Sequence, residues 1–339
     1  MREKRHGTWG EALRVAGALV GGLIGAGFAS GQEVLQFFTA YGPLRGALGA
    51  VLVLLVLAPL CAALLGGARL GKTAQKLLPL VCFAVYAVML GGAGALVQAA
   101  CGLPPVWGRT AMLAATLASV LLGLDRLTAL LALAGPGIVV FVVAAGAAAL
   151  AVRPQGLVNA GAVWPLLPRP ARCWWVAALV YAGCNALLMA PFLQAMGGHL
   201  AGKRSPRRAA WVGCGAFAAA LLLLHLGLSA HLGRVAQSPA PAVALAAGLW
   251  PGAPALAAPV LLAGVYTTAV PLLWGAGAGL APVGRPCPPG VLCAVAWAGW
   301  AWAVLPFARL VGLLYPALGW LGLVLALRLL CCARRKDVL

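Results

Sequence analysis

The chain has 339 residues, of which 63% are hydrophobic and 9% are charged, and its 24 lysines and arginines against 5 acidic residues give a net charge of +19. A soluble domain is about half apolar and about one quarter charged, so this composition excludes a soluble globular fold and indicates that lipid is the solvent. The basic residues stand in short groups between apolar segments, which is typical of topology signals in a membrane protein and argues against nucleic-acid binding.

Recurrent apolar segments predict an all-α polytopic membrane protein, because each is long enough to span a bilayer. The proline-rich segment at about 236–254 is less apolar and predicts a re-entrant or loop helix on the outer side. The basic N-terminus is followed by a long apolar segment without a convincing cleavage site, so we do not expect a signal peptide. The ten predicted spans cover about 10–40, 45–66, 77–101, 109–124, 127–152, 173–197, 209–231, 255–281, 289–307 and 309–332.

The distribution of lysine and arginine predicts that both termini are cytoplasmic. With ten spans and the N-terminus inside, most of the 24 basic residues fall on the cytoplasmic side, as the positive-inside rule requires. The ten cysteines lie mostly in apolar segments without zinc-ligand spacing, so we interpret them as small buried apolar side chains.

Small and polar residues interrupt the first and sixth spans, as GGLIGAGFASGQE at 21–33 and YAGCNALLMAPF at 181–192. Breaks five spans apart predict two five-helix halves of opposite topology, residues 1–152 and 153–339, as in transporters built on inverted repeats. An unwound segment exposes backbone groups that need protein, water or a ligand as partners. The glycines alone are more typical of close helix packing, whereas Ser30, Gln32 and Glu33 favour a functional break.

Glu33 is the one acidic residue well inside a predicted span. An intramembrane acid costs free energy and usually marks a functional site. The carboxylate can carry a proton, neutralise a cationic solute or ion, or hold the second half-helix in place, and the sequence leaves these roles open. His225 and His231 in span 7 are interpreted as hydrogen-bonded or interfacial residues, with a proton relay as the alternative.

Three segments resemble a known family, namely GAGFASGQEVLQFFTAYG at 25–42, VYTTAV at 265–270 and LVGLLYPALGWLGL at 310–323. They are similar to the YkvI-type bacterial membrane proteins of the amino acid–polyamine–organocation superfamily, which are related to neurotransmitter–sodium symporters and branched-chain amino acid carriers. The resemblance implies a LeuT-like fold with broken helices 1 and 6 in a 5+5 inverted repeat, a location in the bacterial inner membrane, and solute transport.

Carried over by position, the resemblance implies a substrate site between the breaks in helices 1 and 6, with an ion or proton site beside it. Packing is the alternative for Tyr86, and hydrogen bonding to their own helix is the alternative for the two threonines of the ion site. The expected substrate-binding residues are Ala26, Gly27, Ala29, Ser30, Gly31, Tyr86, Tyr181 and Asn185. The expected coupling residues are Gly25 and Phe28 through their carbonyls, Thr267 and Thr268 through their hydroxyls, and Glu33, with oxygen ligands that suit a sodium ion.

These features favour a secondary active transporter that moves an amino acid or related small amine-bearing solute by alternating access, and they leave open whether transport is coupled to sodium, to protons or to neither. The alternative is a non-transporting sensor or channel-like protein that retains the fold. An enzyme is not expected, because the sequence shows no nucleophile–base pair, HExxH motif or paired acids. The expected partners are a small solute and the lipid bilayer, without nucleic acid and with no cofactor other than a sodium ion. The substrate, the direction of transport and the oligomeric state do not follow from the sequence.

Overall fold

A computed structural model describes residues 9–69, 71–159, 164, 167–200, 205–238, 240–249, 252–281, 287–304 and 307–336. Across these residues the chain is helical throughout and has no β-strand. The predicted all-α class is therefore confirmed for the described part of the chain.

Fifteen α-helices and one 3₁₀ turn, at Thr39–Tyr41, occur in the described ranges. In chain order they are α1 (Trp9–Leu23), α2 (Ala26–Ser30), α3 (Gln32–Phe37), α4 (Pro43–Leu65), α5 (Lys72–Cys101), α6 (Pro105–Leu121), α7 (Leu124–Val152), α8 (Gly156–Asn159), α9 (Trp174–Leu200), α10 (Ser205–Ala230), α11 (Leu232–Val235), α12 (Pro241–Ala247), α13 (Ala253–Ala278), α14 (Pro289–Trp302) and α15 (Phe307–Lys336).

Several of these helices are membrane-length, as expected for a multi-pass membrane protein. Each of the ten predicted spans overlaps a helix, but the number that cross the bilayer stays a prediction. The segment 236–254 carries the short helix α12, as predicted for a loop helix. Among the described residues, the five helices that are long and apolar enough to cross a membrane are Pro43–Leu65, Gln75–Gln98, Trp174–Gly197, Pro206–Ala230 and Ala257–Ala278.

Span 1 is interrupted, as its glycines predict. α1 ends at Leu23, and Gly25 precedes α2 with extended backbone (φ −85°, ψ −176°). Gly31 joins α2 to α3 with φ +83°. This left-handed conformation is strained for residues with a Cβ atom, so the second turn requires glycine.

The break predicted in helix 6 is wrong, because α9 runs without interruption from Trp174 to Leu200. Asn185 lies inside the helix, and its Nδ2 donates to the Tyr181 carbonyl one turn earlier (3.0 Å). The neighbouring residues are mostly Ala, Leu and Met, which favour helix, whereas span 1 places three glycines within seven residues. A single Gly and a single Asn are therefore not enough to open α9.

Helix α9 packs along α15 and α4, and its crossing with α15 is very close. A Cβ atom on Gly183 would lie 2.6 Å from the Gly319 carbonyl oxygen, and one on Gly322 would collide with the Gly183 carbonyl oxygen. Small residues at such crossings let two backbones approach in a membrane bundle. The crossing brings Tyr315, one turn before Gly319, close to α9.

We expect Gly322→Ala to lower the stability of the protein by about 1–3 kcal/mol, because the methyl group would overpack the α9–α15 crossing. The matched control is Gly215→Ala in α10, where a Cβ atom would meet nothing within 4 Å and higher helix propensity adds up to about 1 kcal/mol. Thermal unfolding of the two purified variants tests this. Equal behaviour of the two variants would contradict the close crossing.

Candidate functional site

Glu33 lies in the first turn of α3, immediately after the turn at Gly31. Its side chain is only 3% exposed and folds back over α2. Its Oε1 atom occupies the space that a Cβ atom on Gly27 would need. Gly27 is predicted to bind a substrate. In the structure, its missing side chain leaves room for the Glu33 carboxyl group against the backbone of α2.

The Glu33 carboxyl group lies beside the hydroxyl groups of Tyr181 in α9 and Tyr315 in α15. Tyr181 is fully buried, and its hydroxyl reaches no hydrogen-bonding geometry with any described group, the nearby carboxyl included. Within the described ranges, no basic side chain interacts with Glu33. A buried carboxylate without a cationic partner is unfavourable, so the site is suited to receive a cation or a proton.

Aromatic rings surround Tyr181 on the side of span 1 and α10. Phe38 meets its ring edge-on at 5.1 Å and Phe37 lies at 5.3 Å, both measured between ring centroids. Phe217 of α10 lies nearly parallel at 6.4 Å and also contacts Phe28 of α2 at 5.2 Å. The rings hold Tyr181 in place, and aromatic faces attract cations.

Ser30 and Gln32 hold the turn between α2 and α3. Ser30 Oγ donates to the Gly27 carbonyl (3.1 Å) and accepts from the Gln32 N–H (3.3 Å). Gln32 Nε2 donates to the Ser238 carbonyl (2.8 Å), which attaches the turn to the loop before α12. The Ser30 hydroxyl thus has a structural task, and its role toward a substrate stays a prediction.

Of the two threonines predicted for the ion site, Thr268 reaches the break in span 1. Its Oγ1 donates to the Gly22 carbonyl (3.0 Å) and lies 3.2 Å from where a Cβ atom on Gly25 would be. Thr267 Oγ1 instead donates to the Gly264 carbonyl of its own helix (3.0 Å). The structure therefore brings one of the two predicted hydroxyls to the break.

The carbonyls predicted as ion ligands take part in helical hydrogen bonds. The Gly25 carbonyl accepts the N–H of Ala29 (2.7 Å), and the Phe28 carbonyl accepts the N–H of Gly31 (2.9 Å). Ala26 begins α2, and the Ala29 methyl packs 3.1 Å from the Cβ position of Gly264.

Tyr86 is engaged elsewhere. Thr116 Oγ1 donates to the carbonyls of its own helix, so the Tyr86 hydroxyl is the donor in its contact with Thr116 (3.0 Å). The Tyr86 ring also lies 2.8 Å from the Cβ position of Gly299 in α14. These contacts are those of a packed, hydrogen-bonded tyrosine, and the structure does not bring Tyr86 together with Glu33.

Both span 7 histidines are hydrogen-bonded, as predicted. His225 Nε2 lies 2.9 Å from the Pro43 carbonyl, which can only accept, so Nε2 carries the proton. Nδ1 then accepts from the Thr39 hydroxyl (3.1 Å). His225 thereby ties α10 to the end of span 1, and His231 Nε2 donates to the Ala149 carbonyl (2.9 Å).

Tyr315 is a site residue that the sequence analysis missed. The signal available was a tyrosine in an apolar segment, one turn before Gly319 and two turns before Gly322. The glycines mark the face of α15 that packs closely on another helix, and a hydroxyl on that face points to a polar site within the bundle.

No protein family model matches the chain, and a comparison with curated proteins finds no match. Solved structures with a similar fold include two variants of a manganese transporter from Eremococcus coleocola. One superposes with a TM-score of 0.53 at 16% identity and the other with 0.51 at 15% identity, each over 96% of this chain and 78% of that one. At this identity the comparison establishes a shared fold.

The two buried tyrosines give a matched test of the site. We expect Tyr181→Phe to leave stability unchanged or to raise it, because the hydroxyl that it removes has no hydrogen-bond partner among the described residues. Tyr86→Phe should lower stability by about 1 kcal/mol, because it removes a hydrogen bond and leaves Thr116 with one partner fewer. Thermal unfolding without ligand is the measurement. Equal destabilisation would mean that the Tyr181 hydroxyl is bonded within the protein and not available to a ligand.

Proposed function

We propose that the chain is a secondary active transporter that moves a small amine-bearing solute, such as an amino acid, across the bacterial inner membrane by alternating access. The observation that carries the proposal is the buried Glu33 carboxyl group beside Tyr181 and Tyr315, at the interruption of span 1. A protonated amine supplies the positive charge and the hydrogen-bond donors that this group of oxygens lacks. The fold shared with a known transporter supports the transport role.

The donor set at the site favours an amine over a divalent metal. The similar solved structures are of a manganese transporter, and Mn²⁺ typically takes an octahedral set of hard ligands. Among the described residues, no group of three or more His, Cys, Asp or Glu side chains could hold a metal ion. One carboxylate, two phenol hydroxyls and aromatic rings suit an ammonium group.

Helix packing supports a two-repeat architecture. α1 packs on α7 and α10, whereas α9 packs on α15 and α4. We pair each helix with the helix five spans before or after it, so that α1 corresponds to α9, α7 to α15 and α10 to α4. The contacts of α1 then correspond to the contacts of α9. This correspondence is expected of two five-helix halves, and rocking one bundle against the other around a central site is the usual mechanism of such transporters.

Coupling to an ion is proposed at the interruption of span 1. Thr268 on α13 contacts Gly22 and Gly25 on either side of the break, and hydroxyl and carbonyl oxygens suit sodium. A proton carried by Glu33 is the alternative driving ion. In both cases residues of the interrupted segment take part in the coupling site as well as in the substrate site, so ion and solute would act on one conformational change.

We expect Glu33→Gln to abolish uptake of the accepted solute, because the neutral amide cannot balance an ammonium group. The measurement is uptake into proteoliposomes, screened over amino acids and related amines, with sodium and proton gradients imposed separately. Glu11→Gln makes the same chemical change at the start of α1 and should leave uptake largely intact.

Two outcomes bear on different parts of the proposal. Unchanged uptake in both Glu33→Gln and Asn185→Ala would show that the substrate site is elsewhere. Failure of the wild-type protein to take up any solute in the screen would favour the sensor or channel-like alternative. Thermal unfolding of each variant shows whether a loss of uptake reflects a loss of folding.

Replacement of the two adjacent threonines by valine tests the coupling site. If sodium drives transport, Thr268→Val should raise the sodium concentration for half-maximal uptake by about tenfold, a typical effect of losing one ligand that contributes about 1.4 kcal/mol. Thr267→Val removes a hydroxyl that bonds within its own helix and should change sodium dependence little. Equal effects of the two variants would count against the proposed ion site.

A further inference from the structure

A second group of polar and aromatic side chains, outside the Glu33 site, lies where α5, α6 and α14 meet. Arg109, about one turn inside the start of α6, packs its stem against α5, with Cγ 3.0 Å from the Cβ position of Gly94. Its guanidinium carbon lies over the Trp300 ring, 5.6 Å from the ring centroid. Trp300 is itself fixed, because its Nε1 donates to Thr110 Oγ1 (3.2 Å).

The guanidinium group is fixed by these contacts, and no carboxylate in the described part of the chain pairs with it. The Nε atom of Arg109 is buried and has no hydrogen-bond partner among the described groups. The chain offers few carboxylates to pair with it, since its five acids are Glu3, Glu11, Glu33, Asp125 and Asp337. Asp125 is the nearest along the sequence, but it follows the far end of α6, roughly 18 Å along the helix axis from Arg109. Glu33 lies in its own site beside two tyrosines.

The surface around Arg109 has the character of a lipid-facing interface. Trp107 in the first turn of α6 is 64% exposed, and Trp297 of α14 is 54% exposed. Trp297 also packs edge-on against Trp300, with ring centroids 5.8 Å apart. Exposed indoles are typical of the level at which a membrane protein meets lipid headgroups, and an arginine extends its charged end to the same level.

We propose that this cluster, made of Trp107, Arg109, Thr110, Trp297 and Trp300, binds the headgroup of an anionic phospholipid such as phosphatidylglycerol. Stacking on Trp300 leaves the edge of the Arg109 guanidinium available to donate two parallel hydrogen bonds to phosphate oxygens. The exposed indoles of Trp107 and Trp297 then flank the glycerol and the upper acyl chains. The lipid supplies a negative charge that the described residues do not supply at this position.

Thermal unfolding of the full-length protein in detergent, with increasing dioleoylphosphatidylglycerol, tests the proposal. We expect the lipid to stabilise the wild-type protein, and Arg109→Gln to raise the half-saturating lipid concentration about tenfold, as expected for loss of a charge-assisted contact. Thr110→Val, which releases Trp300 at an exposed position, should raise it about threefold through weaker positioning of the ring. Native mass spectrometry should show one retained phosphatidylglycerol fewer in Arg109→Gln.

Arg45→Gln provides the charge-matched control, because Arg45 is exposed at the start of α4 and should leave lipid stabilisation unchanged. An equal loss in Arg45→Gln, or wild-type lipid dependence in both Arg109→Gln and Thr110→Val, overturns the proposal. Stabilisation by soluble glycerol phosphate equal to that by the lipid also overturns it, since the site would then bind phosphate and not lipid. If Arg109→Gln does not fold, Thr110→Val and the count of retained lipids decide the result.

Discussion

The structure around span 1 depends on burying one carboxyl group inside a helix bundle whose outer solvent is lipid. Burial of a charge in such a medium is unfavourable unless hydrogen bonds or an opposite charge compensate it. Three features of the bundle place Glu33 in this site. The left-handed turn at Gly31 redirects the chain, and the missing side chain of Gly27 leaves room for the carboxyl group. The close α9–α15 crossing places Tyr181 and Tyr315 beside it.

Most other buried polar side chains of the described residues are hydrogen-bonded, unlike the Tyr181 hydroxyl beside Glu33. Asn185, Thr267 and His225 each find a partner in their own helix or in a neighbouring one. In the described ranges, the buried side-chain polar atoms without a partner are Arg109 Nε, Trp164 Nε1 and the Tyr181 hydroxyl. Buried polar groups in native proteins are normally satisfied. Two of the three exceptions lie at the places where we propose that a solute and a lipid headgroup bind.

A shared fold does not carry a shared substrate. The chain superposes on a manganese transporter at 16% identity, so the architecture persists while most side chains differ. Function resides in the site that a fold supports and must be argued from the groups present there. Here those groups are one carboxylate, two phenol hydroxyls and the aromatic rings that pack around Tyr181. This chemistry differs from a cluster of hard ligands and leads to the proposal of an amine-bearing solute.

The sequence by itself determined the helical membrane class and the interruption of span 1, and it predicted a role for Glu33, because composition, clustered glycines and an isolated acid are local properties of the chain. It did not predict that α9 stays continuous. The Asn185 amide can bond either to its own helix or to another part of the bundle, and the sequence does not decide between these partners. Nor did it place Tyr86 apart from Glu33, or Tyr315 beside it. Those positions depend on which helices cross and how closely, and only the tertiary structure decides this, through contacts between residues far apart in the chain.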